Sequence, residues 1–322
     1  MKLIISEKEI AARRIASILA GDGVSEEKVY GVPVYHFNLN GEDYKVIGLK
    51  GHILKVDYPE EYANWFKVDP MELIGAEIEK VPIQKKIIQA LKKVSGSADE
   101  IIIATDYDRE GELIGYDAMQ MVKEVNAIAP AKRAKFSAIT PKDINQAFSK
   151  TGRIDLNLAF AGRARQDIDL IWGATLTRFI SLSTYQIKDK FLSAGRVQTP
   201  TLTLIVDREL EIKSFIPTPY WVINVKLRTE SGEEFEASHK TKRFLKKEDA
   251  EAVFKKLGDK GTVLKITEDI KDIKPPTPLN TTALIVSGNS IGFTASKTVN
   301  IAENLYMNGY IKNLIVLVDS VR

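Results

Sequence analysis

Three acidic side chains stand at alternate positions in one short stretch of the chain, at Asp106, Asp108 and Glu110. They follow the apolar run 101–104, which is typical of a strand buried on both faces of a parallel sheet. In α/β sheets, ligands bind at the loops that follow the carboxyl ends of such strands. Carboxylates are hard oxygen ligands, and a cation relieves their mutual repulsion, so the stretch predicts a Mg²⁺ site. A solvated acidic turn at a helix N-terminus is the alternative.

The first predicted strand, residues 2–6, ends at a second charged pair, Glu7 and Lys8. A helical pattern follows at 11–20, which is the same layout as at Asp106. If the two strands are neighbours in one parallel sheet, Glu7 converges with the acidic stretch, and Lys8 can contact a phosphate. A solvated turn pair is the alternative for these two residues.

Two later segments carry side chains suited to nucleic-acid contacts. Arg165 and Asp169 are four residues apart in a helical pattern, which is the spacing of an ion pair on one helical face. Arg196 and Gln198 stand beside Gly195, where they can contact a phosphate or a base edge. Ordinary charges on a helix surface are the alternative.

Composition narrows the class of protein. The chain has 322 residues, and this length predicts two or three domains. A net charge of +3 means that any basic surface must come from local clustering. The absence of Cys excludes disulfides, and the presence of only three His argues against a structural zinc site. The sequence shows neither a signal peptide nor an apolar stretch of membrane-spanning length, so we expect a cytoplasmic protein without a membrane partner.

The elements that position these residues change along the chain. Strands and helices alternate over residues 1–150, which predicts an α/β domain with a parallel sheet and flanking helices. A long helix is expected over 156–182, and Thr140 and Pro141 have the spacing of an N-cap and a first helical residue. Period-two patterns then predict an antiparallel β module. Its strands are expected at 220–227, 234–237 and 262–266.

Taken in order along nearly the whole chain, the motifs resemble those in the N-terminal half of the type IA DNA topoisomerases, particularly the archaeal and topoisomerase III-like members. The segment Ile-Ser-Glu-Lys at 5–8 is similar to the opening strand of that family. The segment Asp-Tyr-Asp-Arg-Glu-Gly-Glu at 106–112 is similar to its Toprim acidic motif. Further blocks follow in the family's order at 136–140, 161–178, 193–200, 275–284 and 292–297.

The resemblance implies the fold and the domain order. We expect an α/β Toprim domain, a mainly helical domain, a small antiparallel β module and the start of a helical nucleophile domain. The expected bounds are 1–150 for the Toprim metal-binding domain, 151–212 for the helical DNA-binding domain, 213–274 for the β-rich arch module and 275–322 for the incomplete nucleophile (tyrosine) domain.

The activity implied by the resemblance is transient cleavage of one DNA strand by a tyrosine, passage of another strand and religation. Mg²⁺ is the implied cofactor, and single-stranded DNA is the preferred partner. Glu7 would act as the general acid, and Lys8 would stabilise charge on the attacked phosphorus centre. The residues expected to hold the metal are Asp106, Asp108 and Glu110. The residues expected to bind DNA are Arg165, Asp169, Arg178, Arg196, Gln198, Thr281 and Thr282.

The C-terminal residues depart from the family. Where its members carry the nucleophile in a Tyr-Pro-Arg-Thr-Asp motif, residues 312–318 read Lys-Asn-Leu-Ile-Val-Leu-Val. Tyr310 is the nearest tyrosine and matches a non-catalytic family position, so the nucleophile is unassigned. We therefore expect the chain to be part of a topoisomerase and to be inactive alone, because it lacks the catalytic tyrosine. Truncation, a frameshift or a split gene with a missing C-terminal chain would account for this loss.

Two alternatives stay open. In one, the chain is a remnant that binds single-stranded DNA and Mg²⁺ without cutting the strand. In the other, it is a Toprim nuclease that uses Glu7 and the acidic stretch directly on phosphodiesters. The blocks around Arg165 and Arg196 argue against the nuclease, because they belong to the topoisomerase pattern and not to Toprim domains in general.

Overall fold

The computed structural model describes residues 1–21, 23–187, 190–308 and 310–311. The chain divides into two compact units, one built from Met1–Thr199 with Thr277–Arg322 and the other from Pro200–Pro276. In the described part of the chain, no helix combines the length and the apolar character needed to cross a membrane. The four-domain division expected from the sequence stays a prediction.

Strands and helices alternate through the first 150 residues, as the sequence pattern predicts. The strands are β1 (Lys2–Ser6), β2 (Ser25–Val29), β3 (Val32–Leu39), β4 (Glu42–Gly48), β5 (Leu54–Asp57), β6 (Glu79–Pro82), β7 (Glu100–Ala104), β8 (Ala131–Arg133), β9 (Asn224–Arg228) and β10 (Glu234–Ser238). The helices are α1 (Glu9–Ala20), α2 (Lys85–Ser95), α3 (Arg109–Lys123), α4 (Pro141–Ser149), α5 (Leu156–Ser183), α6 (Gln198–Ser214), α7 (Lys247–Phe254), α8 (Thr281–Ser290) and α9 (Ala295–Met307). Short 3₁₀ helices lie at Glu60–Tyr62 and Pro70–Ile74.

A six-stranded sheet with the order β2-β3-β4-β1-β7-β8 is the centre of the first unit. β1 is parallel to both of its neighbours, with Ser6 opposite Gly48 of β4 and Ala104 of β7. β8 continues the parallel pairing, whereas β2 and β3 add an antiparallel hairpin at the far edge. The carboxyl ends of β1 and β7 therefore meet at one edge of the sheet, where Glu7 and Asp106 follow them.

Helices cover both faces of this sheet. On one face α2 and α3 pack in a core that contains Leu91 and, from β1, Leu3. On the other face α1 and α4 pack in a core that contains Ile15 and, from β1, Ile4. The apolar centre of β1 is thus buried on both sides, as is typical of a strand inside a parallel sheet. This arrangement confirms the predicted α/β fold class.

Helix α5 lies close to the start of α3. Asp155 caps α5, since its Oδ1 accepts a hydrogen bond from the Leu158 amide at 3.0 Å. A Cβ at Gly162 would lie only 2.7 Å from the carbonyl oxygen of Arg109, so this close approach needs a glycine. The contact brings the side chains of α5 beside the loop that follows β7.

In the second unit, β9 and β10 form an antiparallel hairpin in which Leu227 pairs with Phe235. The strand predicted at 262–266 is wrong, because these residues form no strand and Leu264 is 94% exposed. A period-two pattern becomes a strand only where a partner strand and a covering face are present. Among the residues described, β9 and β10 pair only with each other.

Candidate functional site

The acidic loop after β7 is a tight turn that needs a glycine. Thr105 Oγ1 donates to the carbonyl oxygen of Gly111 at 2.7 Å. Asp108 is the N-cap of α3, and its Oδ1 accepts a hydrogen bond from the Gly111 amide at 2.7 Å. A Cβ at Gly111 would lie 2.2 Å from the carbonyl oxygen of Asp106, which is closer than any side chain allows. Gly111 therefore permits the tight turn in which Asp108 caps α3.

A buried ion pair holds this loop against β8. Arg133 Nε donates to Glu112 Oε2 at 2.8 Å, and both side chains are fully buried. Arg133 also donates to the carbonyl oxygens of Asp106 at 2.9 Å and Ala134 at 2.6 Å. Glu112 Oε1 accepts a hydrogen bond from the Asp155 amide at 2.7 Å, which joins the pair to the start of α5. Sequence reasoning missed this pair, because no local spacing links its two partners.

Glu7 and Asp106 come together at the edge of the sheet, as their positions after neighbouring parallel strands predict. Burial raises the pKa of Glu7 to about 7, and the negative charges of Asp106 and Asp108 add to the effect. Burial also raises the pKa of Asp106, with the charge of Asp108 as the next cause. Each carboxyl group therefore holds its proton more tightly than it would in water.

Glu110 faces another way. His52 Nε2 lies 2.8 Å from its Oε2, and Arg165 Nη1 lies 3.5 Å from its Oε1. Gln166 Nε2, on α5, lies 3.4 Å from both ring nitrogens of His52, so this helix also contacts the imidazole. The sequence places His52 after a glycine but gives no reason to prefer a role in the site over a structural one.

The acidic side chains fit a divalent cation only in part. Within the described ranges, no three acidic or His side chains are grouped as metal ligands. Asp106 and Asp108, with Glu7 beside them, offer carboxylate oxygens whose mutual repulsion a Mg²⁺ ion would relieve. Glu110 does not join them, because His52 and Arg165 hold it. Its predicted place in the ligand set stays a prediction.

Helix α9 lies over the two strand ends. Lys8 Nζ donates to Glu303 Oε1 at 2.6 Å, and Tyr306 Oη donates to Asp106 Oδ1 at 3.4 Å. Burial raises the pKa of the Tyr306 hydroxyl, and the charge of Asp106 raises it further. Tyr310, by contrast, is 78% exposed. Of these two tyrosines, Tyr306 contacts the acidic site, and its phenolate form is disfavoured.

The side chains expected to bind DNA are paired differently from the sequence prediction. The structure does not pair Arg165 with Asp169: Arg165 contacts Glu110, and Asp169 binds Arg196. Arg196 Nε lies 2.5 Å from Asp169 Oδ1, and Nη2 lies 3.2 Å from Oδ2. The predicted pair is wrong because helical spacing shows neighbours on α5 alone, whereas the true partners come from the loop after β7 and from the segment before α6.

The other predicted DNA contacts lie on separate elements. Arg178 is buried, and its Nη1 donates to the Tyr62 carbonyl oxygen at 2.6 Å while the guanidinium lies 5.5 Å from the Trp65 ring centre. Burial lowers the pKa of Arg178. The remaining positions are the first residue of α6 and the first turn of α8, at Gln198, Thr281 and Thr282. Contact of these residues with DNA stays a prediction.

Residues 153–312 match a family model described as DNA topoisomerase, and residues 2–139 match the Toprim domain model. The chain is similar to DNA topoisomerase 1 of Archaeoglobus fulgidus, with 48% identity over 96% of this chain and 45% of the relative. DNA topoisomerase 1 of Thermoplasma acidophilum is 42% identical over 96% of this chain and 40% of the relative. The structure of full-length topoisomerase I from Thermotoga maritima matches with a TM-score of 0.65 at 29% identity, over 95% of this chain and 46% of that one. The chain thus spans less than half the length of these relatives.

Proposed function

Because the chain belongs to the type IA DNA topoisomerase family, we propose that it supplies the metal-binding and strand-binding half of a centre that breaks and rejoins one DNA strand. The observation that carries the proposal is the meeting of Glu7 with Asp106 and Asp108 at one edge of the parallel sheet. Partly buried carboxyl groups that raise one another's pKa suit proton transfer and cation binding better than structural support.

Glu7 is the proposed general acid. Its pKa of about 7 leaves a substantial fraction of the carboxyl protonated at neutral pH. The carboxyl group can therefore give a proton to the 3′ oxygen that leaves when a strand is cut, and take it back on religation. Lys8, the next residue, brings an ammonium group that stabilises negative charge on the attacked phosphate.

Asp106 and Asp108 are the proposed holders of Mg²⁺, and Glu110 is the proposed third ligand. When bound, Mg²⁺ would offset phosphate charge and orient the strand ends for religation. Glu110 reaches this role only by leaving His52 and Arg165, which hold it in the present arrangement.

Arg165 and Arg196 are the best placed of the proposed strand-binding residues. Each contacts a carboxylate, and each side chain is about two-fifths exposed, at 40% and 42%. Carboxylates and phosphates accept the same paired N–H donors, so a DNA backbone can replace Glu110 and Asp169 as the partner. Gln198, Thr281 and Thr282 would add polar contacts, and Arg178 would contact DNA only by leaving the Tyr62 carbonyl.

Neither tyrosine in the described part of the last helical segment suits the nucleophile role. Tyr306 is buried with a raised pKa, and Tyr310 matches a non-catalytic family position. Residues 312–318 contain no tyrosine and lie outside the described residues. We therefore infer that the chain alone binds single-stranded DNA without cutting it, and that cleavage needs a tyrosine from a further polypeptide segment.

The test uses the 322-residue chain with a labelled single-stranded oligonucleotide and with supercoiled plasmid. We expect salt-sensitive binding of the oligonucleotide, no covalent adduct and no relaxation of the plasmid. An adduct that maps to Tyr310 would place the nucleophile in this chain and overturn the second half of the proposal. Hydrolysis that needs Mg²⁺, leaves no adduct and is lost in Asp106→Ala would instead identify a Toprim nuclease.

A further inference from the structure

A cluster of lysines surrounds two neighbouring cavities of the first unit, apart from the acidic residues of the candidate site. The cavities have volumes of about 720 Å³ and about 840 Å³. Seven lysines and two glutamates line them, although the whole chain carries a net charge of only +3. The lining of the two cavities therefore carries a local excess of positive charge, which favours a polyanionic partner.

Most of these lysines have no acidic partner. Lys45 pairs with Glu27 at 3.3 Å, and Lys92 pairs with Glu124 at 2.5 Å. The others form no ion pair with any residue that the structure describes; they are Lys28, Lys50, Lys85, Lys86 and Lys93. A phosphate bound to these ammonium groups would relieve their mutual repulsion without first displacing a carboxylate.

Tyr30 lines both cavities and joins them. It opens the two-residue turn between β2 and β3, with a φ of 51°, and Gly31 follows with a φ of 81°. Turns of this type favour Asn or Gly at the first position, so an aromatic residue is held there against its backbone preference. The side chain is 57% exposed, so burial in the core does not account for it.

The smaller cavity begins beside the candidate site. Glu9 and Lys50 line it, and the backbone of Lys50 forms an isolated bridge with Lys8. Gly48 also lines it, at the end of β4, directly beside the end of β1. A DNA strand held at Lys8 therefore has an adjoining basic cavity into which it can continue.

We propose that the two cavities form a track for single-stranded DNA, in which the unpaired lysines contact successive phosphates and Tyr30 stacks on one base. The inference rests on the proposed function, since it extends the strand path beyond the cleavage site. Proteins that bind single strands combine a basic groove with an exposed aromatic ring in this way. A duplex would offer the phosphates but no unstacked base, so Tyr30 selects the single strand.

The charge of the track is tested with Lys85→Gln/Lys86→Gln, at the start of α2. The matched control is Lys142→Gln/Lys150→Gln, which removes the same charge at α4, on the opposite face of the sheet. Binding of a labelled single strand of about 20 nucleotides is followed by fluorescence anisotropy over a range of salt concentrations. We expect the α2 variant to reduce the slope of log K against log salt by about 1.4, which is two single-strand phosphate contacts, and the control to match the unmodified chain.

The aromatic part is tested with Tyr30→Asn. Asn suits the left-handed turn, so the unfolding midpoint should stay the same or rise. We expect a loss of at least about fivefold in affinity for the single strand, as stacking on one base supplies, and no loss for a duplex of the same length.

Each outcome separates this inference from the proposed function. Normal binding by the unmodified chain, with the α2 variant no weaker than its control, would overturn the track and leave the proposed function standing. Equal losses on single strand and duplex for Tyr30→Asn would overturn the stacking role and the preference for single strands. Failure of the unmodified chain to bind any oligonucleotide would remove both proposals.

Discussion

Lys8 Nζ lies 2.6 Å from Glu303 Oε1, so an ion pair between residues 295 positions apart joins the end of β1 to α9. Lys8 is the residue proposed to contact the attacked phosphate. Glu303 of α9 already accepts a hydrogen bond from this ammonium group, so a phosphate that binds Lys8 competes with Glu303 for its positive charge. The contact makes α9 a competitor of the strand in this arrangement.

Glu303→Gln is therefore expected to increase the affinity for a short single-stranded oligonucleotide. The side chains of Lys8 and Glu303 are 42% and 40% exposed, so solvent screens the pair and the gain should be modest, roughly twofold to fivefold. Glu251→Gln removes the same charge from an exposed pair with Lys247 in α7 and serves as the control. An equal change in both variants, measured by fluorescence anisotropy, would mean that Glu303 does not compete for Lys8.

The sequence predicts those parts of the site that depend on local chemistry. An apolar strand followed by acids correctly predicts the edge of the sheet where Glu7 and Asp106 meet. The N-cap at Thr140 is also confirmed, because its Oγ1 accepts a hydrogen bond from the Asp143 amide at 3.2 Å. In both cases the controlling contacts lie within a few residues or follow from parallel pairing.

The parts that the sequence does not predict depend on contacts between distant elements. The pairs Arg133–Glu112 and Lys8–Glu303 join different elements and have no spacing signature. Arg165 has a suitable partner four residues away, yet it pairs across to Glu110 once α5 packs on α3. Tertiary packing decides between such partners, because the energy difference between two exposed ion pairs is small.

Asp106→Asn should raise the melting temperature of the metal-free chain. Burial raises the pKa of Asp106, and the charge of Asp108 raises it further, so the ionised form of Asp106 is unfavourable in the fold. The neutral amide of Asn removes the repulsion from Asp108 and can still accept the hydrogen bond from the Tyr306 hydroxyl. The expected gain is about 2–4 °C for each kcal/mol of repulsion removed. Mg²⁺ should stabilise the unmodified chain but not this variant.

The control for Asp106→Asn is Asp207→Asn, an exposed aspartate on α6, which should keep the full stabilisation by Mg²⁺. Both variants are followed by thermal unfolding with and without Mg²⁺. If Mg²⁺ stabilised Asp106→Asn as much as the control, the metal would bind elsewhere.

Glu112→Ala should be strongly destabilising, by roughly 3–5 kcal/mol, because it leaves the buried Arg133 guanidinium without its carboxylate. It also removes the acceptor of the Asp155 amide. The double variant Glu112→Leu/Arg133→Met fills the same space without charge and should recover much of the loss. Urea unfolding monitored by circular dichroism measures both. A single variant no less stable than the double one would mean that the buried Arg133 guanidinium does not need its carboxylate partner.

Two glycines of the site admit no side chain at all. A Cβ at Gly48 would lie 2.4 Å from the Glu9 Cα atom, and one at Gly111 would lie 2.2 Å from the Asp106 carbonyl oxygen. Backbone atoms cannot move aside as flexible side chains can, so almost any mutation at these codons displaces Glu7 or Asp106. The geometry of the metal edge therefore depends on two residues that carry no side chain, and a substitution at either one can disable the site while every acidic residue is still present.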